Sequence, residues 1–206
     1  MRRITNALNP AFHLATARLR TQRDLSVNLG SGGKGRPGWV NVELHPHHRD
    51  TTLALDIRRQ LPFADGSIAR ILAEHVVEHV DFRHDVPKMV RDWYRVLRPG
   101  GVVRVIVPDA ERFLRAYASG EPTEWEGLGW GVLPHDIHTR MHVLNHIFHQ
   151  EGEHLFGYDF ETLKWVLRQA GFQEVVKMSF GKSLDPALAI DQENHRPYSL
   201  YVEARK

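Results

Sequence analysis

Apolar and polar positions along this chain fall into short blocks separated by turn signals, and the period changes from block to block. Leu25–Leu29 is an apolar run that reads as a strand, and Trp39–Leu44 as a second. Thr51–Ile57 reads as a third, with Asp56 near its end, and Ile68–Ala73 as a fourth. Between Asp85 and Leu97 the period becomes helical: Val86, Met89, Val90, Trp93 and Leu97 share one face. Asp85 serves as N-cap, Pro87 sits in the first turn and Pro99-Gly100-Gly101 is the stop. Gly101–Val107 is nearly all β-branched and predicts a central fifth strand. Asp159 opens another helix with Phe160, Leu163, Leu167 and Ala170 on one face and Gly171 at its end. Val175–Phe180 and Ser199–Ala204 read as two final strands.

Strands alternating with helices predict a parallel sheet with crossover connections. Ligands of such sheets bind outside the carboxyl ends of the strands. The glycines at 30–35, then Glu43, Asp56, Glu74-His75 and Pro108-Asp109 all follow strand ends, so they converge on one crevice. Two segments break the rhythm. Residues 1–24 carry five arginines and one aspartate. Within them Pro10–Arg20 predicts a basic helix with Phe12, Ala15 and Leu19 on one side, which packs beside the first strand or touches an anionic membrane surface or acidic substrate. Residues 109–157 read as an inserted, substrate-side segment: Ala110–Ser119 starts as a helix, and the glycine- and tryptophan-rich stretch from Gly120 to Pro134 reads as a loop over a pocket. No repeat or linker divides residues 1–206, which are expected to form one domain.

Composition narrows this further. Hydrophobic content of 42% and charged content of 25% are those of a globular protein. No apolar run approaches the roughly 20 residues of a spanning helix, and Arg2-Arg3 precede no apolar signal region. With no cysteine, disulfides, thiolate metal sites and a cysteine nucleophile are excluded, and a cytoplasmic setting is expected. A net charge of +2 is too small to point to nucleic acid. The oddity is 14 histidines.

Gly30, Gly32 and Gly35 satisfy G-x-G-x-x-G, yet Pro37-Gly38 and a second strand follow at once, leaving no room for the helix that binds a pyrophosphate. An acidic residue, Glu43, already closes that second strand. The loop suits a ligand whose ribose takes a carboxylate and which brings no pyrophosphate, such as S-adenosylmethionine. Here the chain resembles the class I S-adenosylmethionine-dependent methyltransferases, in a compact subgroup like methyltransferase type 11. The resemblance rests on Asn28-Leu29-Gly30-Ser31-Gly32, Leu61-Pro62-Phe63-Ala64-Asp65-Gly66-Ser67 and Glu74-His75-Val76-Val77-Glu78-His79. It continues in Val96-Leu97-Arg98-Pro99-Gly100-Gly101, Tyr158-Asp159-Phe160-Glu161-Thr162-Leu163 and Ala170-Gly171-Phe172. It implies a Rossmann-like, doubly wound α/β fold whose mostly parallel seven-stranded sheet has an antiparallel last strand. It also implies S-adenosylmethionine as cofactor: Gly30, Ser31 and Gly32 at its methionyl part, Glu43 and Leu44 at the ribose, Asp56 and Ile57 at the adenine, and Glu74 and His75 beside the methyl group. The subgroup's association with surface-polysaccharide genes points to an oxygen of a small molecule or glycan as acceptor.

An oxygen acceptor gains from a general base. His75 and His79, four apart after the fourth strand, are candidates, with Glu78 able to orient one of them; the competing reading makes Glu78 and His79 a structural polar pair. His154 joins the candidates because its surroundings match the family. In the insert His138, His142, His146 and His149 fall within about 80° of a helix, opposite Met141, Leu144, Ile147 and Phe148. That stripe faces solvent or substrate, or binds a metal completed by His135, Asp136 or Glu153; no metal ligands are assigned. His45-Pro46-His47-His48 reads as a polar loop at the adenosine rim, and Trp125 and Trp130 as packing or as stacking platforms. A metal-dependent hydrolase built on the insert, and a non-catalytic cofactor-binding module, are the rival functions.

Overall fold

The computed structural model describes residues 10–45, 50–128 and 137–206. Expectations at Pro46, His47, His48, Trp130, His135 and Asp136 lie outside the described residues, as does the side chain of Phe12. Strands β1 (Leu25–Leu29), β2 (Val40–Glu43), β3 (Leu53–Ala54), β4 (Ile68–Glu74), β5 (Leu97–Pro108), β6 (Glu174–Met178) and β7 (Ser199–Arg205) form one sheet in the order β3-β2-β1-β4-β5-β7-β6. All pairings are parallel except those of β7, which runs antiparallel to both β5 and β6. Among the described residues the helices are α1 (Pro10–Thr21), α2 (Val86–Val96), α3 (Ala110–Ser119), α4 (Pro122–Glu126), α5 (Arg140–His149) and α6 (Phe160–Gln169). None is long and apolar enough to cross a membrane.

Successive residues of a strand face opposite ways, so each sheet face has its own core. Ile71, Ala73, Val103, Val105 and Val107 pack with Leu19 of α1, Met89 and Trp93 of α2, and Leu163 and Leu167 of α6. Leu72, Val102, Ile106 and Tyr201 face away and meet Leu188, with Phe180, Leu184 and Ile190 against them. This second face is covered by the β6–β7 connection, residues 179–198, whose only regular pieces are 3-10 turns at Pro186–Leu188 and Glu193–His195. Arginines bolt this strap to the sheet. Arg70 Nε donates to Asp185 at 2.6 Å, Arg36 Nη2 to the Ile190 carbonyl at 2.8 Å, and Arg104 to both Asp191 oxygens at 2.7 Å and to Glu203 at 2.6 Å. The side chains of Arg104, Asp191 and Glu203 are fully shielded from solvent.

Helices α3, α4 and α5 form a smaller core of Phe113, Trp125, Leu128, Val143, Leu144 and Ile147. Trp125 therefore packs, beneath the Arg140 guanidinium, and does not stack on a ligand. Met141, expected on the apolar side of α5, is exposed.

Three boundaries differ from expectation. The third strand shrinks to Leu53–Ala54, because Asp56 already turns the chain, accepting from Arg59 N–H at 3.0 Å. Helix α2 ends at Val96, and Leu97 already pairs with Ile68. The next pair is Arg70 with Val102, so Arg98–Gly101 bulge out of a strand and do not merely stop a helix. Part of the expected loop after Gly120 is helical, as α4.

Candidate functional site

The sheet brings the carboxyl ends of β1, β2 and β4 together. After β1 the backbone turns through Gly30 at φ +65° and Gly32 at φ +51°, left-handed values that favour glycine. A Cβ on Gly30 would stand 2.4 Å from Val76 Cγ2, whereas one on Gly32 would meet nothing within 4 Å. Gly30 is thus a packing glycine, and Gly32 borders open ground. Between them Ser31 is buried; its N–H donates to the Val42 carbonyl at 3.0 Å, and its Oγ has no hydrogen-bond partner. Glu43, ending β2, leans over this loop: Oε2 accepts from Gly32 N–H at 2.8 Å and Oε1 from Leu44 N–H at 2.6 Å. An orphaned hydroxyl, open space above a glycine and a fixed carboxylate fit the amino-acid and ribose parts of S-adenosylmethionine. Asp56 sits differently. Arg58 grips both its oxygens, at 2.8 and 2.7 Å, and these bonds outweigh partial burial to hold its carboxyl below the usual range. Ile57 belongs to the main core. A second hollow of about 640 Å³ lies between Lys34–Trp39 and Ile190–Gln192.

Past β4 the site is a histidine chamber. A cavity of about 260 Å³ is lined by His75, Glu78, His79, His146, His154, His195 and Tyr198 among others. His75 holds φ +50°, a strained conformation for a residue with a side chain. Its Nε2 shares a 2.8 Å hydrogen bond with Ser199 Oγ, its Nδ1 lies 3.2 Å from Glu78 Oε1, and its ring packs on His195 with centroids 4.2 Å apart. Glu74 turns toward the strap: it accepts from Gln192 N–H and Nε2 at 3.3 and 3.0 Å and from His195 Nδ1 at 3.3 Å. Burial alone would raise its pKa, but the bonds from His195 and Gln192 prevail and keep it ionised. Burial, with the charges of Glu78 and Glu74, pushes Tyr198 up to about 12, so it stays a hydroxyl donor. His154 is pushed down, chiefly by burial. Of the α5 stripe, only His146 lines the cavity; His138, His142 and His149 face solvent.

The sequence reading did not find His195, Gln192 or Tyr198, since residues 181–198 carry no periodicity. A signal was present nonetheless. An antiparallel last strand begins where its parallel neighbours end, so whatever precedes Ser199 falls into the crevice.

Sheet order and the reversed β7 define the methyltransferase form of the Rossmann-like fold. Solved structures agree. A S-adenosylmethionine-dependent methyltransferase from Archaeoglobus fulgidus matches at TM-score 0.54 and 15% identity over 94% of each chain. A 1,6-didemethyltoxoflavin N1-methyltransferase from Burkholderia thailandensis, solved with bound 1,6-didemethyltoxoflavin and S-adenosylhomocysteine, matches at 0.50 and 13%, over 97% of this chain and 80% of the other. A Haloferax volcanii methyltransferase, solved in complex with the activator Trm112, matches at 0.51 and 15%, over 94% and 87%. At such identities these likenesses establish the fold. No curated protein matches the chain. Residues 41–105, from β2 into β5, match the family model described as a methyltransferase domain. The fold is that of the class I S-adenosylmethionine-dependent methyltransferases, and residues 41–105 carry the likeness to the methyltransferase-domain family.

Proposed function

We propose that the enzyme methylates an oxygen of a small molecule or of a glycan end, with His195 as general base. The observation that carries this reading is His195 on the cavity wall with the Glu74 carboxylate behind it. A carboxylate can only accept, so it fixes the proton on Nδ1 and leaves Nε2 to take one from a hydroxyl. Gly30, Ser31, Gly32, Glu43 and Leu44 hold the cofactor, Asp56 and Ile57 border its adenine end, and Glu74 acts on the reaction through His195. Bound there, the cofactor supplies a methyl group activated by its sulfonium. Tyr198 and His75 orient the acceptor, and about 260 Å³ admits one ring-sized group, not a polymer segment. The test is transfer of labelled methyl from S-adenosylmethionine to a panel of hydroxylated sugars, phenols and carboxylic acids, with amines alongside. Label recovered as an ether or ester, and lost in His195→Asn, supports the reading; label found only on nitrogen sinks it.

A further inference from the structure

We infer that Glu78, His79 and His154 form a site for a first-row divalent cation on the wall of the acceptor cavity. Their ligand atoms lie within 4.8 Å of one another, and all three residues line the same cavity. Glu78 is 1% exposed, yet neither of its carboxylate oxygens accepts a hydrogen bond; the ring nitrogen of His75, 3.2 Å away, is its flanking polar contact. Burying a carboxylate without hydrogen bonds is costly, and a cation removes that cost. The histidines are prepared in the manner of ligands. His79 Nδ1 meets the Glu153 carbonyl at 3.0 Å and His154 Nδ1 meets the Ile147 carbonyl at 2.6 Å. Carbonyls only accept, so both protons sit on Nδ1 and each Nε2 keeps its lone pair, the backbone-held arrangement usual behind metal-binding imidazoles. The rings stand edge to face with centroids 4.8 Å apart.

Two imidazoles and one carboxylate favour Zn²⁺, Co²⁺, Fe²⁺ or Mn²⁺ over Mg²⁺ or Ca²⁺. Bonds of about 2.1 Å place tetrahedral ligands about 3.4 Å apart, so the side chains close in by roughly an ångström on binding. Three protein ligands leave positions open toward the cavity, where an acceptor oxygen becomes a further ligand and is more readily deprotonated. This is a different place from the exposed stripe on α5.

The role at the acceptor rests on the proposed oxygen chemistry; the site itself does not. The experiment uses tag-free full-length protein, stripped with chelator and titrated with Co²⁺, followed by visible absorption and by equilibrium dialysis. The expected result is one Co²⁺ per chain, displaced by Zn²⁺, with affinity falling at least tenfold in His79→Ala and in Glu78→Gln and unchanged in His142→Ala. His79 lies at the rim, so that variant keeps its fold; circular dichroism confirms this for both. A stoichiometry near zero, or equal binding in all variants, overturns the site. S-adenosylhomocysteine binding on the same samples separates the two readings: its persistence without Co²⁺ binding removes the metal alone.

Discussion

Gly30 and Gly32, with only Ser31 between them, do different work. Gly30→Ala combines a left-handed backbone with a 2.4 Å overlap on Val76, and should cost about 2–5 kcal/mol in urea denaturation. Gly32→Ala carries only the backbone term, about 1–2 kcal/mol, but puts a methyl group into the open ground of the loop. Calorimetry with S-adenosylhomocysteine should therefore show a folded Gly32 variant with weakened binding. His195→Asn should lower kcat about 10²- to 10⁴-fold while leaving S-adenosylhomocysteine affinity within about twofold. Glu74, proposed to act through His195, also carries a charge that bears on stability. Its folded pKa lies below its ordinary value of 4.5, so its contribution is full above that value and is lost as pH falls through the folded pKa. Between pH 6 and 3, wild-type stability should fall more steeply than that of Glu74→Gln.

At the scale of elements, the strap decides whether the cavity exists. Residues 179–198 have little secondary structure and are held by Arg36, Arg70 and Arg104. Removing one partner of a buried ionic cluster leaves uncompensated charge, so Arg104→Ala should cost about 3–5 kcal/mol and expose the strap to limited proteolysis. These elements also show what the sequence can and cannot express. β1 and β4 were legible as short apolar runs bounded by turn signals, and α2 because a helical period repeats over one buried face. The glycine loop after β1 was legible because left-handed turns favour glycine. The strap was not: its fixed points are ion pairs between residues as far apart as Arg70 and Asp185, and no local pattern encodes them. The histidine chamber was half legible. His75 and His79 follow from their place after β4 and His154 from the family resemblance, but His195 enters only through the strap, and Glu78's isolation is visible only in three dimensions.

For the molecule as a whole, cofactor product and stability are linked. A ligand that binds only the folded chain at 100 times its Kd adds about 2.7 kcal/mol. For a domain of this size that corresponds to a rise in Tm of roughly 5–11 °C, which S-adenosylhomocysteine should produce in wild type and Glu43→Ala should abolish. An unchanged Tm at saturation would contradict binding in the crevice.

The sheet order also fixes when the enzyme becomes an enzyme. β6 has no sheet partner except β7, which follows it in the chain and slots between it and β5. A nascent chain that has emerged as far as the strap holds β1 to β5 and their helices, but β6 has no strand to pair with until β7 follows. Translation that stops before Ser199 therefore forfeits both β6 and β7 of the sheet, and assembly of the chamber past β4 waits on β7.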